Sequence, residues 1–159
     1  MRGWRAILTL AGVLTVAAVG AGCGGDGSSE VTASANVDKA TFLKQVEAVC
    51  KQANARTQAG WEDFVKDKGG DPTAAFEDQD DANEFSTTVV LAEKQRQVDE
   101  LAELTAPEED KEQFEAILAA YEEGIEVGED DPETVTSAQG VFKYAASLAE
   151  KYGVPECRW

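Results

Sequence analysis

From Val37 onward the apolar residues recur three and four apart, and almost nothing alternates with a period of two. That spacing predicts helices joined by short loops. The first helix is expected to begin at Asp38, whose side chain can accept from the orphan amides of a first turn, with Val37 placed to staple against Phe42. Phe42, Val46, Val49, Cys50 and Ala53 share one face, and Trp61, Phe64 and Val65 prolong it beyond Gly60, which reads as a kink or a break. Lys68-Gly69-Gly70 ends this segment. Asp71-Pro72 then offers a cap followed by a proline at a first helical position. The stretch from there to Asp80-Asp81 is weakly amphipathic, with Phe76 as its main anchor, and reads as a short helix or an ordered loop.

A longer helix is expected from Ala82 to Leu104, with Phe85, Val89, Ala92, Val98, Leu101 and Leu104 inward. Thr105-Ala106-Pro107 stops it and opens the next, where Glu108, Glu109 and Asp110 crowd the positive end of the helix dipole. Phe114, Ile117, Leu118, Tyr121 and Ile125 make the clearest helical stripe in the chain, closed by Gly128. Asp131-Pro132 repeats the cap-plus-proline start. Val135, Ala138, Phe142, Ala145, Leu148 or Ala149, and Tyr152 form the last stripe, with Gly153 as its C-cap and Pro155 barring continuation. Four helices with short connections make antiparallel neighbours, so residues 37–159 are expected to form an all-α, up-down four-helix bundle.

The start of the chain follows different rules. Met1-Arg2-Gly3-Trp4-Arg5 is a short basic stretch, and Ala6 to Gly22 carries no charge, which is the pattern of a secretory signal. A membrane-spanning anchor is the other reading, although the run is at the lower limit for crossing a bilayer and rich in glycine at its end. Gly24-Gly25-Asp26-Gly27-Ser28-Ser29 beyond it has the composition of a flexible linker.

At Ala21-Gly22-Cys23 the chain resembles bacterial prolipoproteins, whose lipobox sets small residues before a cysteine. The position three before the cysteine, commonly aliphatic in that family, is Gly20 here, with Val19 beside it. The resemblance covers Met1 to Cys23. It implies a signal peptide over 1–22, cleavage before Cys23 and diacylglycerol on the Cys23 thiol, with 23–36 as lipidated cysteine and flexible linker. It also implies a domain on the outer face of a cell membrane. Each buried methylene of a lipid contributes about 0.8 kcal/mol, and two chains suffice for stable attachment.

Cysteine arithmetic bears on the same point. With Cys23 lipidated, Cys50 and Cys157 are an even pair in an oxidising compartment, where a disulfide is expected; two free buried thiols are the alternative. The bridge would close a loop of roughly 107 residues. Cys50 lies about 18 Å along the first helix, and the tail beyond Gly153 reaches about 15 Å. The tail must therefore fold back along that helix.

Composition narrows the chemistry. The chain has 14 basic against 31 acidic residues and no histidine. Loss of Arg2 and Arg5 with the leader would leave 12 against 31, a net charge of −19. Such a surface repels phosphate backbones, so no nucleic-acid partner is expected. Without histidine the Ser-His-Asp and Cys-His arrangements are excluded, together with the Glu-x-x-His pairs of di-iron bundles. The densest acidic cluster, Glu77 to Asp81 with Glu84, fails the calcium-loop pattern: counted from Asp78, the sixth residue is Asn83 and the twelfth Val89. It reads as a solvated face. The expectation is no enzyme, no catalytic residue, no metal ligand and no cofactor. Most aromatics fall at core spacing, and Trp61, Tyr144 and Trp159 are the three expected on a binding surface. Two functions fit: a tethered domain binding a protein or envelope component, or one binding a small molecule or metal cation between its helices.

Overall fold

Asp38 starts the first helix as expected, its carboxylate accepting from the Thr41 amide at 3.0 Å and the Thr41 hydroxyl at 2.7 Å. This helix, α1, runs Lys39–Asp67. The computed structural model describes residues 37–71, 76, 78–137 and 140–158. The leader 1–22, Cys23 with the linker 23–36, Ala138 and Trp159 lie outside the described residues. The described residues belong to one compact unit.

Gly60 does not break α1, which continues through it. A Cβ there would lie 2.5 Å from Val89 Cγ1, so the glycine admits a neighbouring helix at close range. That neighbour is one continuous helical rod in three parts: α2 (Gln79–Phe85), a π-helical stretch over Ser86–Leu91, and α3 (Ala92–Ala102). Three consecutive hydroxyls mark where the wider turn begins. Ser86 donates to the Ala82 carbonyl at 2.8 Å, Thr87 to that of Asn83 at 3.1 Å, and Thr88 to that of Glu84 at 2.7 Å. Side chains that bond back to carbonyls compete with the backbone ladder and loosen it.

The inserted residue changes which positions face inward. Ala92, expected inside, is exposed, and Val89 is only half-buried, whereas Val90 and Leu91 are buried. Phe85, before the π stretch, keeps its expected place, and Val98 and Leu101 are buried beyond it.

The third helix, α4, spans Lys111–Asp130 after a 3₁₀ turn at Glu108–Asp110. Gly128 does not close it. The glycine sits inside the helix, where a Cβ would meet Val135 at 2.8 Å and Leu91 at 2.9 Å, so it too marks a close approach. The last helix is shorter than its stripe predicts. Pro132–Thr134 is a 3₁₀ turn, and α5 covers only Lys143–Tyr152. Thr134 donates to the Asp131 carbonyl at 2.6 Å, Ser137 to that of Thr134 at 3.1 Å, and the Gly140 amide to that of Ser137 at 2.8 Å. These local bonds hold a turn in place of a helix. Gly153 ends α5 in the left-handed region, at φ 105°.

Contacts at the two ends fix the topology. Lys39 at the start of α1 pairs with Asp110 before α4 at 2.6 Å, and the Phe114 ring meets Phe42 at 4.9 Å and Tyr152 at 6.3 Å. At the other end Lys68, after α1, pairs with Asp81 and Glu84 of α2 at 2.7 and 2.8 Å. The molecule is an all-α, up-down four-helix bundle. α1 packs on α3, α3 on α4 and α4 on α5, and a 3₁₀ turn at Pro155–Cys157 lies against both α1 and α5. There the Sγ atoms of Cys50 and Cys157 stand at bonding distance, 2.00 Å, and Asn54 donates to the Glu156 carbonyl at 2.9 Å. The tail folds back along α1 as its reach required. Among the described residues no helix is long and apolar enough to cross a membrane.

Candidate functional site

The register shift in the second rod carries two polar side chains into the core. Lys94 is 3 % and Gln97 1 % exposed, both on α3. Lys94 Nζ donates to Gln97 Oε1 at 2.9 Å, and Gln97 Nε2 donates to Cys50 Sγ at 3.1 Å. Across the disulfide, the Tyr121 hydroxyl on α4 donates to the Cys157 carbonyl. A string of polar groups thus runs from α3 through α1 and the tail to α4, with the disulfide at its centre.

Lys94 Nζ also stands over the Tyr121 ring at 5.4 Å and the Phe142 ring at 5.8 Å, where the negative faces attract a cation. Burial nevertheless pushes its ammonium down to about 7, because a charge in this interior loses its water. The same burial drives the Tyr121 phenol well above its usual range, so that it stays a donor. An amine that exchanges its proton near neutrality is chemically capable of acting as a base or nucleophile. Lys94 is enclosed by aromatic rings, however, and does not line the neighbouring cleft.

That cleft has a volume of about 490 Å³ and is open to solvent along α5. Phe85, Tyr121, Val135, Phe142 and Ala146 form its apolar lining. The turn before α5 adds Thr136 and Ser137, and two exposed cations, Lys143 and Arg158, complete it. The tail sets the place of Arg158: its amide donates to the Pro155 carbonyl at 3.2 Å, directly after the bonded Cys157. Its guanidinium reaches Glu150 at 3.3 Å, with both side chains 56 % exposed.

The three residues expected on a binding surface are placed differently from one another. Trp61 is half-buried, packed edge-on against Phe76 at 4.9 Å and Phe85 at 5.2 Å, and borders a hollow of about 420 Å³ with Asn54, Thr57 and Gln58. Tyr144 is 64 % exposed on α5. Trp159 lies outside the described residues. Neither hollow joins Trp61 to Tyr144, although Phe85 lines both. Cys50 and Cys157 meet as expected. The acidic cluster has structural partners: Asp78 accepts from the Asp80 amide at 2.9 Å, and Asp81 and Glu84 hold Lys68. Among the described residues no group of three or more carboxylate or cysteine side chains is placed to hold a metal ion.

Lys94, Gln97, Lys143 and Arg158 escaped the sequence reading. Lys94 lies four and seven residues before the inward Val98 and Leu101, on their helical face, but a lysine is not expected in a core, and the hydroxyl run Ser86-Thr87-Thr88 hints that the period slips ahead of it. Compared with known proteins, the chain matches no family model, no curated protein and no solved structure.

Proposed function

We propose that this chain is a membrane-anchored, extracytoplasmic lipoprotein whose helical domain binds a protein or envelope partner and catalyses no reaction. The observation that carries the reading is the meeting of Cys50 with Cys157. It accounts for two of the three cysteines in a bond suited to an oxidising compartment. Cys23, in the lipobox-like Ala21-Gly22-Cys23, then remains for the lipid. The lack of histidine and the enclosure of Lys94 support a binding role. Tyr144, the most exposed large hydrophobic side chain among the described residues, is the first contact point to test.

The test is retention of residues 33–159 on envelope polymer and envelope protein, compared with a Tyr144→Ser variant. The reading expects retention that falls at least tenfold in the variant. Equal retention of both, or none of either, contradicts it. A second reading, a small-molecule binder, is favoured by the cleft along α5, whose volume falls in the range of ligand sites.

A further inference from the structure

We propose that the Cys50–Cys157 disulfide is a reducible lock on a C-terminal strap, residues 153–158, opened by an external dithiol that attacks Cys157 while Cys50 leaves onto the Gln97 amide. Its opening frees the strap and leaves the four helices folded. The device is independent of what the domain binds.

The strap is joined to a body that holds together without it. The rings of Phe42, Phe114 and Tyr152 and the pairing of Lys39 with Asp110 link the helices and use none of its residues. Gly153, exposed and at φ 105°, starts the strap at a point where the backbone turns freely. Val154 is its buried apolar contact. Beyond it, Asn54 donates to the Glu156 carbonyl and the Tyr121 hydroxyl to that of Cys157. Water replaces such partners when a segment lifts, and a chain end opens locally at the least cost.

Gln97 makes the two sulfurs unequal. It is buried, and its Nε2 donates to Cys50 Sγ at 3.1 Å, while Lys94 Nζ donates to its Oε1 at 2.9 Å. A donor aimed at a sulfur favours its thiolate, and a second donor on the amide oxygen strengthens the first. A sulfur that is more stable as thiolate leaves faster in exchange. Cys157 instead lies on the strap, between half-buried Glu156 and exposed Arg158. Both cysteines are buried, so exchange begins when the strap lifts. The dithiol's thiolate then attacks Cys157 Sγ, the S–S bond breaks, and its electron pair goes to Cys50 Sγ, which takes a proton from water. The dithiol's second thiolate displaces Cys157 from the mixed disulfide. The dithiol ends as a disulfide and the protein as two thiols.

The experiment uses the full chain with Cys23→Ser in detergent, so that one pair of cysteines reacts. Dithiothreitol is added at constant pH, and reduction is followed by mass after alkylation. Gln97→Met is expected to slow reduction at least tenfold. A Gln97 that only packs the core gives the opposite sign, because a loosened core opens sooner, so an unchanged or faster rate overturns the proposal. Two further measurements need no change at Gln97. With glutathione in place of dithiothreitol, the trapped mixed disulfide is expected on Cys157, and its appearance on Cys50 overturns the direction of attack. In the reduced protein the Cys157 and Arg158 amides, which donate to Val154 and Pro155, should exchange hydrogen at the rate of an unfolded chain while those of α4 stay protected. Protection retained on the strap, or lost throughout the helices, overturns the lock.

Discussion

The hydroxyl of Tyr121 donates to the carbonyl oxygen of Cys157, so the middle of α4 is tied to the tail that the disulfide holds against α1. This bond is buried, and its loss would leave a carbonyl without a partner. Tyr121→Phe is therefore expected to lower stability by about 1–3 kcal/mol, the cost of an unsatisfied buried acceptor. Thermal unfolding measures it. A melting temperature equal to that of the parent would mean that the hydroxyl does not hold the tail.

The disulfide itself should weigh more. It closes a separation of 107 residues, and a loop of that length constrains the unfolded chain by about 4–5 kcal/mol on entropic grounds. Replacing Cys50 and Cys157 with alanine also removes the sulfur that accepts from Gln97. Against a typical total of about 5–15 kcal/mol, the double variant should lose a large share of its stability. Urea unfolding of the parent with and without reductant should reproduce the difference. A change below about 1 kcal/mol would contradict the role given to the bond.

Buried Lys94 makes stability depend on pH in a predictable direction. Its ammonium is pushed from 10.5 down to about 7 by loss of solvent. Between those values the unfolded chain holds a proton that the folded chain has released, so stability rises with pH, by at most about 1.4 kcal/mol per unit. Tyr121 and Tyr152 act oppositely at higher pH. Burial raises both phenols, Tyr152 to about 12, so the unfolded chain loses those protons first and stability falls above about pH 10. Urea midpoints should climb from pH 7 to about 9.5 and then turn over. Lys94→Met should abolish the climb and keep the turnover. Parallel curves for the two proteins would place the effect elsewhere.

Gly60 offers a contest between two effects of known sign. In an open helix, alanine in place of glycine stabilises by about 1 kcal/mol. Here the new Cβ would stand 2.5 Å from Val89 Cγ1, and overpacking of this kind costs about 1–3 kcal/mol. Gly60→Ala should therefore destabilise, and Gly60→Ala with Val89→Ala should recover most of the loss. A stabilised single variant would show that α1 and the π stretch have room to separate.

These contests explain what could be read from the chain and what could not. The bundle, the Asp38 and Gly153 caps and the joining of Cys50 to Cys157 follow from local chemistry and spacing, and they are present as expected. Gly60 and Gly128 resembled punctuation because a glycine reads the same whether it breaks a helix or lets another approach. Ala92 reads as inward because a fixed period cannot register the extra residue of a π turn, and Lys94 escapes notice because a lysine is seldom fully buried. The last helix is shorter than its apolar stripe because the stripe continues through a turn held by Thr134, Ser137 and Gly140. The cleft was illegible for a related reason: Phe85, Tyr121, Phe142 and Arg158 come from separate segments, and only packing brings them together. Of the expected surface, Tyr144 is open to solvent, while Trp61 is drawn into an aromatic cluster with Phe76 and Phe85.

The proposed address and the cysteine pairing meet in one measurement, the intact mass of the protein extracted from membranes of cells that express it. The account predicts a chain that begins at Cys23, carries the added mass of a diacylglyceryl group, and is two hydrogens lighter than its reduced form. A full-length chain without lipid, or a mature chain with both Cys50 and Cys157 free, would contradict it.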